Sequence, residues 1–114
     1  MHWTAAKHIL RYLAGTADYG LDYRRSGGVG LVGYTDFDWA GSVSDWKSTS
    51  GCCFSLGSAV VSCFNRKQKS VALSSVEAEY KPASQASCEA LWLRKLMVDL
   101  FDMEPSPIVI QCDI

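Results

Sequence analysis

The sequence has few of the residues that build zinc sites or disulfide frameworks. Its five cysteines are odd in number and show no Cys-x-x-Cys spacing, and its two histidines, His2 and His8, both lie near the amino terminus. Structural zinc needs closely spaced Cys and His ligands, so this pattern argues against a zinc site. Buried thiols in a reducing compartment account for the cysteines better than disulfides do.

Long hydrophobic runs are also missing. No stretch approaches the ~20 apolar residues of a membrane span, and residues 1–7 (MHWTAAK) lack the apolar core of a signal peptide. These absences predict an intracellular protein, cytoplasmic or nuclear, that is not secreted. The formal net charge is −1, so any affinity for nucleic acid has to come from local basic patches.

The residues that are present have the patterning of a single α/β domain. The chain has 114 residues, of which 48% are apolar and 20% are charged, as in ordinary soluble folds. Periodicity predicts a helix over residues 4–14, strands over 31–38, 49–56 and 59–64, a helix over 75–101 and a strand over 108–112. A polar loop, residues 65–69, is predicted before the long helix. The order predicts an α/β (α+β) fold with a mixed sheet, whose last strand returns parallel to an earlier one.

Three acidic residues occupy positions where a carboxylate is costly. Asp36 lies inside the apolar run of the first predicted strand, Glu79 in the first turns of the long helix, and Asp113 at the end of the last strand. The desolvation of carboxylates at such positions costs free energy unless a positive group offsets it. If the last strand pairs with the first, Asp36 and Asp113 become neighbours across the sheet. Converging carboxylates suit a hard divalent cation such as Mg²⁺.

Two further acids compete for these roles. Glu77 fits the N3 position of a capping box that starts at Ser74, which gives it a structural role, but whether Glu77 or Glu79 is the helix ligand stays open. Asp38 shares a strand face with Asp36, although its position before residues 39–41 fits a turn. Glu79 stands in line with an apolar stripe expected to face the sheet. The stripe comprises Ala83, Ala86, Ala90, Leu93, Met97 and Leu100.

Several ordered blocks of the sequence carry a family resemblance. The blocks are residues 34–41 (YTDFDWAG), 47–51 (KSTSG), 71–80 (VALSSVEAEY) and 89–93 (EALWL). They resemble the ribonuclease H domain of copia-type LTR retrotransposon Pol polyproteins. The opening residues 2–13 (HWTAAKHILRYL), followed by Gly15-Thr16, resemble the segment that joins reverse transcriptase to that domain. The resemblance implies a connection segment over residues 1–28 and a ribonuclease H-like domain over residues 29–114.

The resemblance implies a function as well as a fold. Such domains hydrolyse the RNA strand of RNA–DNA hybrids with two Mg²⁺ or Mn²⁺ ions. Matched position by position, Asp36 is the shared ligand that bridges both ions, and Glu79 and Asp113 each hold one ion. Arg66, Lys67 and Lys69 are the best candidates for phosphate contacts, with solvated loop cations as the alternative. The implied partners are an RNA–DNA hybrid and reverse transcriptase or other Pol segments, with no membrane.

The sequence also departs from that family. The family continues past the last strand with a further helix, a further strand and a fourth acidic ligand, so we expect an incomplete fold with weakened or lost activity. Pro82 stands about two turns into the long helix, where it removes a hydrogen bond and predicts a kink just after Glu79. The alternative function is a non-catalytic remnant that binds nucleic acid or another Pol-derived chain.

Overall fold

In the described part of the chain, six secondary-structure elements follow one another in the order that the sequence predicts. The computed structural model describes residues 1–24, 30–38, 47–69, 71, 74–102 and 106–112, without the side chains of residues 37, 38, 75 and 78. The elements are α1 (His2–Gly15), β1 (Leu31–Asp38), β2 (Thr49–Leu56), β3 (Ala59–Lys67), α2 (Ser75–Phe101) and β4 (Val109–Cys112). The prediction of an α/β fold with a mixed sheet is confirmed, and the arrangement is consistent with a ribonuclease H-like fold.

The four strands form one sheet in the order β3-β2-β1-β4. β1 and β2 are antiparallel, as are β2 and β3, which a tight turn joins at Gly57. This turn requires a positive φ of 62° at Gly57, a conformation that glycine adopts without steric cost. β4 returns parallel to β1 after the α2 crossover, and its register pairs Thr35 with Cys112. The predicted neighbour relation between the first and last strands is therefore confirmed.

α2 packs across one face of this sheet and builds the core there. Along β1 the side chains alternate between the two faces, so that Gly33 and Thr35 are buried while Tyr34 and Asp36 are exposed. The buried face of β2 contributes Phe54, which has no exposed surface. The core cluster comprises Cys52, Phe54, Ala86, Ala90 and Leu93. The face that carries Tyr34 and Asp36 is thus the one opposite α2.

The predicted stripe of α2 is correct in its centre and wrong at its ends. Ala86, Ala90 and Leu93 are buried, but Leu100 is 64% exposed, and Glu79 is exposed as well. A 27-residue helix is about 40 Å long, whereas an eight-residue strand spans only about 26 Å. Both ends of α2 therefore project past the sheet. The helix also continues through Pro82, whose ring is buried.

The polar loop predicted over residues 65–69 is wrong in its first half. Asn65, Arg66 and Lys67 continue β3, and they pair with Gly51, Ser50 and Thr49 of β2. Their polar character reflects an edge strand with exposed side chains, a setting in which charged residues are common because they discourage strand addition. β3 therefore extends to the same end of the sheet as the last residue of β1.

The amino-terminal helix stands apart from the sheet. No residue of α1 is buried, and α1 packs against none of the other helices and strands that the structure describes. The irregular segment after it is tied to the β2–β3 hairpin. The Tyr23 hydroxyl donates to the Val60 carbonyl at 2.7 Å, and the Arg24 amide donates to Ser58 Oγ at 3.0 Å. Within the described residues, neither helix is long and apolar enough to cross a membrane.

Candidate functional site

The carboxyl ends of β1, β3 and β4 lie at the same end of the sheet, which we call its carboxyl edge. β1 is parallel to β4, and both run in the same direction as β3 because two antiparallel pairings separate β1 from β3. The register places Asp38, Thr49 and Lys67 side by side at this edge. A side chain near the end of β1 therefore shares its surroundings with the ends of β3 and β4.

α2 begins at the same edge. In its middle, Glu89 accepts a 2.7 Å hydrogen bond from the Ser62 hydroxyl, which lies near the middle of β3. Three turns nearer the helix start, Glu77 and Lys81 line a cleft together with Arg66, at the end of β3. The helix thus runs antiparallel to β1 and β3, and its first turns lie beside the strand ends.

The start of α2 is fixed by its cap. Ser74 Oγ accepts a hydrogen bond of 3.1 Å from the Glu77 amide, as the predicted capping box requires. The Glu77 carboxylate lies 3.0 Å from the Lys81 ammonium group in an i,i+4 ion pair. Glu79 takes part in neither contact and has an exposed side chain. The structure thus gives Glu77 a local structural role.

Asp36 opens onto a shallow concavity on the sheet face opposite α2. Gly51 lies beside Asp36 in the register, and Asn65 lies beside Gly51 on the next strand. Because Gly51 has no side chain, the space between Asp36 and Asn65 is open. Gln111 of β4, which pairs with Tyr34, lines the same concavity. Among the residues that the structure describes, the concavity is therefore lined by one carboxylate and two side-chain amides.

Asn65 and Gln111 were missed by sequence reasoning. Asn65 was assigned to a loop, which hid its position two strands away from Asp36. The signal that could have found it is the alternation of β3, since extending that strand by three residues puts Asn65 on the face of Asp36. Carboxylate and amide oxygens are the donor types that hard divalent cations prefer.

The third predicted acid, Asp113, lies outside the described residues. β4 ends at Cys112, which pairs with Thr35, the residue before Asp36. Among the side chains that the structure does describe, no three His, Cys, Asp or Glu residues form a metal-binding group. The three-carboxylate site of Asp36, Glu79 and Asp113 therefore stays a prediction.

The basic candidates gather in a second cleft, at the junction of β3 and α2. Arg66, Lys67 and Lys69 line one wall, and Lys81 lies on the other. The Arg66 guanidinium lies 5.3 Å from the centre of the Phe64 ring, a cation–π contact that orients it. The structure brings all three predicted phosphate-contact residues together. It adds Lys81, which sequence reasoning missed because Lys81 lies four residues after Glu77, on the helix face whose role was predicted to be structural.

The cysteines differ from their prediction. Cys53 and Cys63, neighbours on β2 and β3, are joined by a disulfide, and Cys88 and Cys112 are exposed. Only Cys52 is a buried thiol among these five, and burial, followed by the charges of Glu89 and Cys112, raises its pKa. The prediction of buried free thiols is wrong for the other four: strand pairing brings Cys53 and Cys63 together, and Cys88 and Cys112 lie on exposed positions of α2 and β4.

Comparison with known proteins relates the chain to transposon polyproteins. It is 42% identical over 112 residues to the retrovirus-related Pol polyprotein from transposon RE2 of Arabidopsis thaliana. It is 39% identical, also over 112 residues, to that from transposon TNT 1-94 of Nicotiana tabacum. Each alignment covers 98% of this chain and 8% of the polyprotein. Nearly the whole chain is therefore related to a short segment of such polyproteins.

A further relative contradicts the predicted cellular localisation. The chain is 52% identical over 92 residues to the secreted RxLR effector protein 161 of Plasmopara viticola. This alignment covers 81% of this chain and 65% of the effector protein. This finding contradicts the prediction of an intracellular protein that is not secreted. That prediction was drawn from the amino-terminal residues and the cysteine spacing, and neither excludes export.

No family model matches the chain, and no solved structure does.

Proposed function

We propose that this chain is a ribonuclease H domain of a copia-type Pol polyprotein, which hydrolyses the RNA strand of RNA–DNA hybrids with Mg²⁺ or Mn²⁺. One observation carries the proposal. The ends of β1 and β4 and the start of α2 lie at one edge of the sheet, and these are the elements that bear or precede Asp36, Asp113 and Glu79. The relation of the chain to transposon Pol polyproteins supports it independently.

The donor chemistry at this edge fits the proposed ions. Asp36 supplies a carboxylate to a concavity that Asn65 and Gln111 also line, and oxygen ligands are those that Mg²⁺ binds. Asp36, Glu79 and Asp113 would hold two ions; because Asp36 lies on the face opposite α2, Glu79 would reach the ions past the ends of the strands. When bound, such a pair of ions activates a water for in-line attack and stabilises the leaving sugar oxygen.

The chain's own residues would hold the substrate. Arg66, Lys67 and Lys69 place three positive charges at the end of β3, next to the edge that carries Asp36. Neutralisation of phosphates by such cations supplies most of the sequence-independent affinity for nucleic acid. The 2′-hydroxyl of RNA gives a protein the means to distinguish the two strands.

A cleavage assay tests this function. We expect the purified chain to cut the RNA strand of a labelled hybrid only weakly and only in Mg²⁺ or Mn²⁺, and Asp36→Asn to abolish this cutting, because the amide cannot bridge two cations. Asp99→Asn is the matched control, since Asp99 is exposed near the far end of α2. Cleavage that survives Asp36→Asn removes Asp36 from the mechanism.

The second candidate is a non-catalytic module that binds nucleic acid or another Pol segment. The apolar side of α1 favours it, because Trp3, Ile9, Leu10 and Leu13 are each more than half exposed. Burying such a stripe against reverse transcriptase or another Pol segment would remove this apolar surface from water. We then expect hybrid binding without metal-dependent turnover, and capture of a Pol segment that Ile9→Ser abolishes.

A further inference from the structure

We propose that the cleft between β3 and α2 binds single-stranded nucleic acid, with the Tyr80 ring as a stacking platform for a base. The proposal rests on the proposed nucleic-acid function, but it requires neither metal nor catalysis. It assigns a ligand to two residues of α2, Tyr80 and Lys81. Neither residue has a role in the proposed hybrid cleavage.

The charge of this cleft is opposite in sign to that of the chain. Among the described residues, Arg66, Lys67, Lys69 and Lys81 line it with one carboxylate, Glu77, so these four cations and one acid give a formal charge of +3. The whole chain carries −1. The Glu77 carboxylate lies 3.0 Å from the Lys81 ammonium group. Because both residues belong to α2, the negative charge of Glu77 is located on the α2 wall. A polyanion is therefore attracted to the β3 wall.

The aromatic ring on the other wall supplies the second part of the argument. Tyr80 lines the cleft and is 72% exposed, although a large aromatic ring gains from burial. Exposed aromatic rings beside backbone-binding cations are the recognition elements of single-stranded nucleic-acid sites. In a duplex the bases are stacked within the helix, so their faces cannot reach such a ring. The cleft therefore favours an unpaired strand.

A buried polar residue at the end of β3, Gln68, connects the β3 wall to the start of β2. Gln68 is 7% exposed. Its backbone amide donates to the Ser48 carbonyl at 2.8 Å, and its side-chain Nε2 donates to Ser50 Oγ at 3.1 Å. Ser48 and Ser50 are themselves each 1% exposed. Because Gln68 is fixed between them, Lys67 and Lys69 on either side of it are held at the mouth of the cleft.

The cleft is large enough for this ligand. Its volume is about 690 Å³, within the range of about 300–1,000 Å³ typical of small-molecule and cofactor sites. Ser84 and Gln85, one turn after Tyr80 and Lys81, extend the α2 wall with neutral hydrogen-bonding groups. A base on Tyr80 with its phosphates toward Arg66 and Lys69 would use both walls at once.

The test compares two probes of equal length, an oligothymidylate and an oligomer without bases, in EDTA and at low salt. Fluorescence anisotropy gives the affinity of the full chain and of its variants. We expect Tyr80→Ala to weaken oligothymidylate binding at least about fivefold and to leave the abasic oligomer unchanged. Tyr80→Phe keeps the affinity because the ring remains. Lys69→Ala weakens both probes alike, since each presents the same phosphates.

Controls separate this proposal from its alternatives. Tyr19→Ala changes neither affinity, because Tyr19 is 80% exposed but lies outside the cleft. Equal loss for both probes in Tyr80→Ala, or no loss for either, overturns the stacking assignment, as does a wild-type chain that binds neither probe. Because the assay contains no divalent cation, the absence of hybrid cleavage leaves its result unaffected.

Discussion

Gly33 leaves the space that Phe54 fills, and adding one methyl group there should destabilise the fold. The two residues pair across β1 and β2. A Cβ built on Gly33 would lie 2.6 Å from Phe54 Cε1, 3.1 Å from Cδ1 and 3.2 Å from Cζ. The first distance is well inside the 3.5–4.0 Å at which carbon atoms attract each other best. Gly33→Ala therefore requires the ring or the strand to move.

The ring has little room to move. Phe54 has no exposed surface and belongs to the cluster with Ala86, Ala90 and Leu93 beneath α2. Overpacking a well-filled core costs about 1–3 kcal/mol, and we expect Gly33→Ala to lower the free energy of unfolding by that amount. For a domain of this size, each kcal/mol lowers the melting temperature by about 4–8 °C.

Urea denaturation of four variants, Gly33→Ala, Gly30→Ala, Phe54→Leu and the double variant, checks the reasoning. Gly30→Ala is the matched control, because nothing lies within 4 Å of a Cβ at that position, and we expect its stability to stay within about 0.5 kcal/mol of the wild type. Phe54→Leu combined with Gly33→Ala should cost less than the sum of the single changes, because the smaller side chain makes room for the methyl group. The account is refuted if Gly33→Ala is as stable as Gly30→Ala.

Three shorter predictions concern α2 and the cysteines. Ser74→Ala removes the helix cap and should cost about 1 kcal/mol in the same urea assay; an unchanged midpoint would contradict the cap. Pro82→Ala restores a backbone donor and should raise the free energy of unfolding by up to about 3 kcal/mol, whereas a loss would mean that packing of the ring dominates. In mildly alkaline iodoacetamide, Cys88 and Cys112 should be labelled before Cys52, because burial raises the pKa of the Cys52 thiol and reduces its thiolate fraction. Equal rates by mass spectrometry would contradict this burial.

Local patterns sufficed to predict most of the fold. The alternation in β1 and β2 and the cap at Ser74 gave the bounds of both strands and of α2 as the structure has them. The end of β3 could not be predicted from composition, because Asn65, Arg66 and Lys67 are polar and belong to the sheet only through pairing with β2. Tertiary pairing overrode the local preference there.

The candidate site was predictable only in part, for the same reason. Asp36 and Glu79 could be chosen because each interrupts an apolar pattern, and the crossover connection predicts that β1 and β4 are neighbours. Asn65, Lys81 and Tyr80 interrupt no pattern. Asn65 is positioned by its pairing with β2, and Lys81 and Tyr80 by the packing of α2 beside β3. The Cys53–Cys63 pairing likewise depends on strand register, which spacing along the chain does not encode.

Mn²⁺ titration followed by NMR of the ¹⁵N-labelled chain tests the central claim most directly. A paramagnetic ion broadens the signals of nearby amides, so the spectrum locates the cation without any turnover. We predict that broadening begins at Asp36, Gln111 and Glu79 and that Asp36→Asn abolishes it at these positions while Asp99→Asn does not. Broadening that starts elsewhere in the chain, or that persists unchanged in Asp36→Asn, would contradict a metal site at the edge where β1 and β4 end and α2 begins.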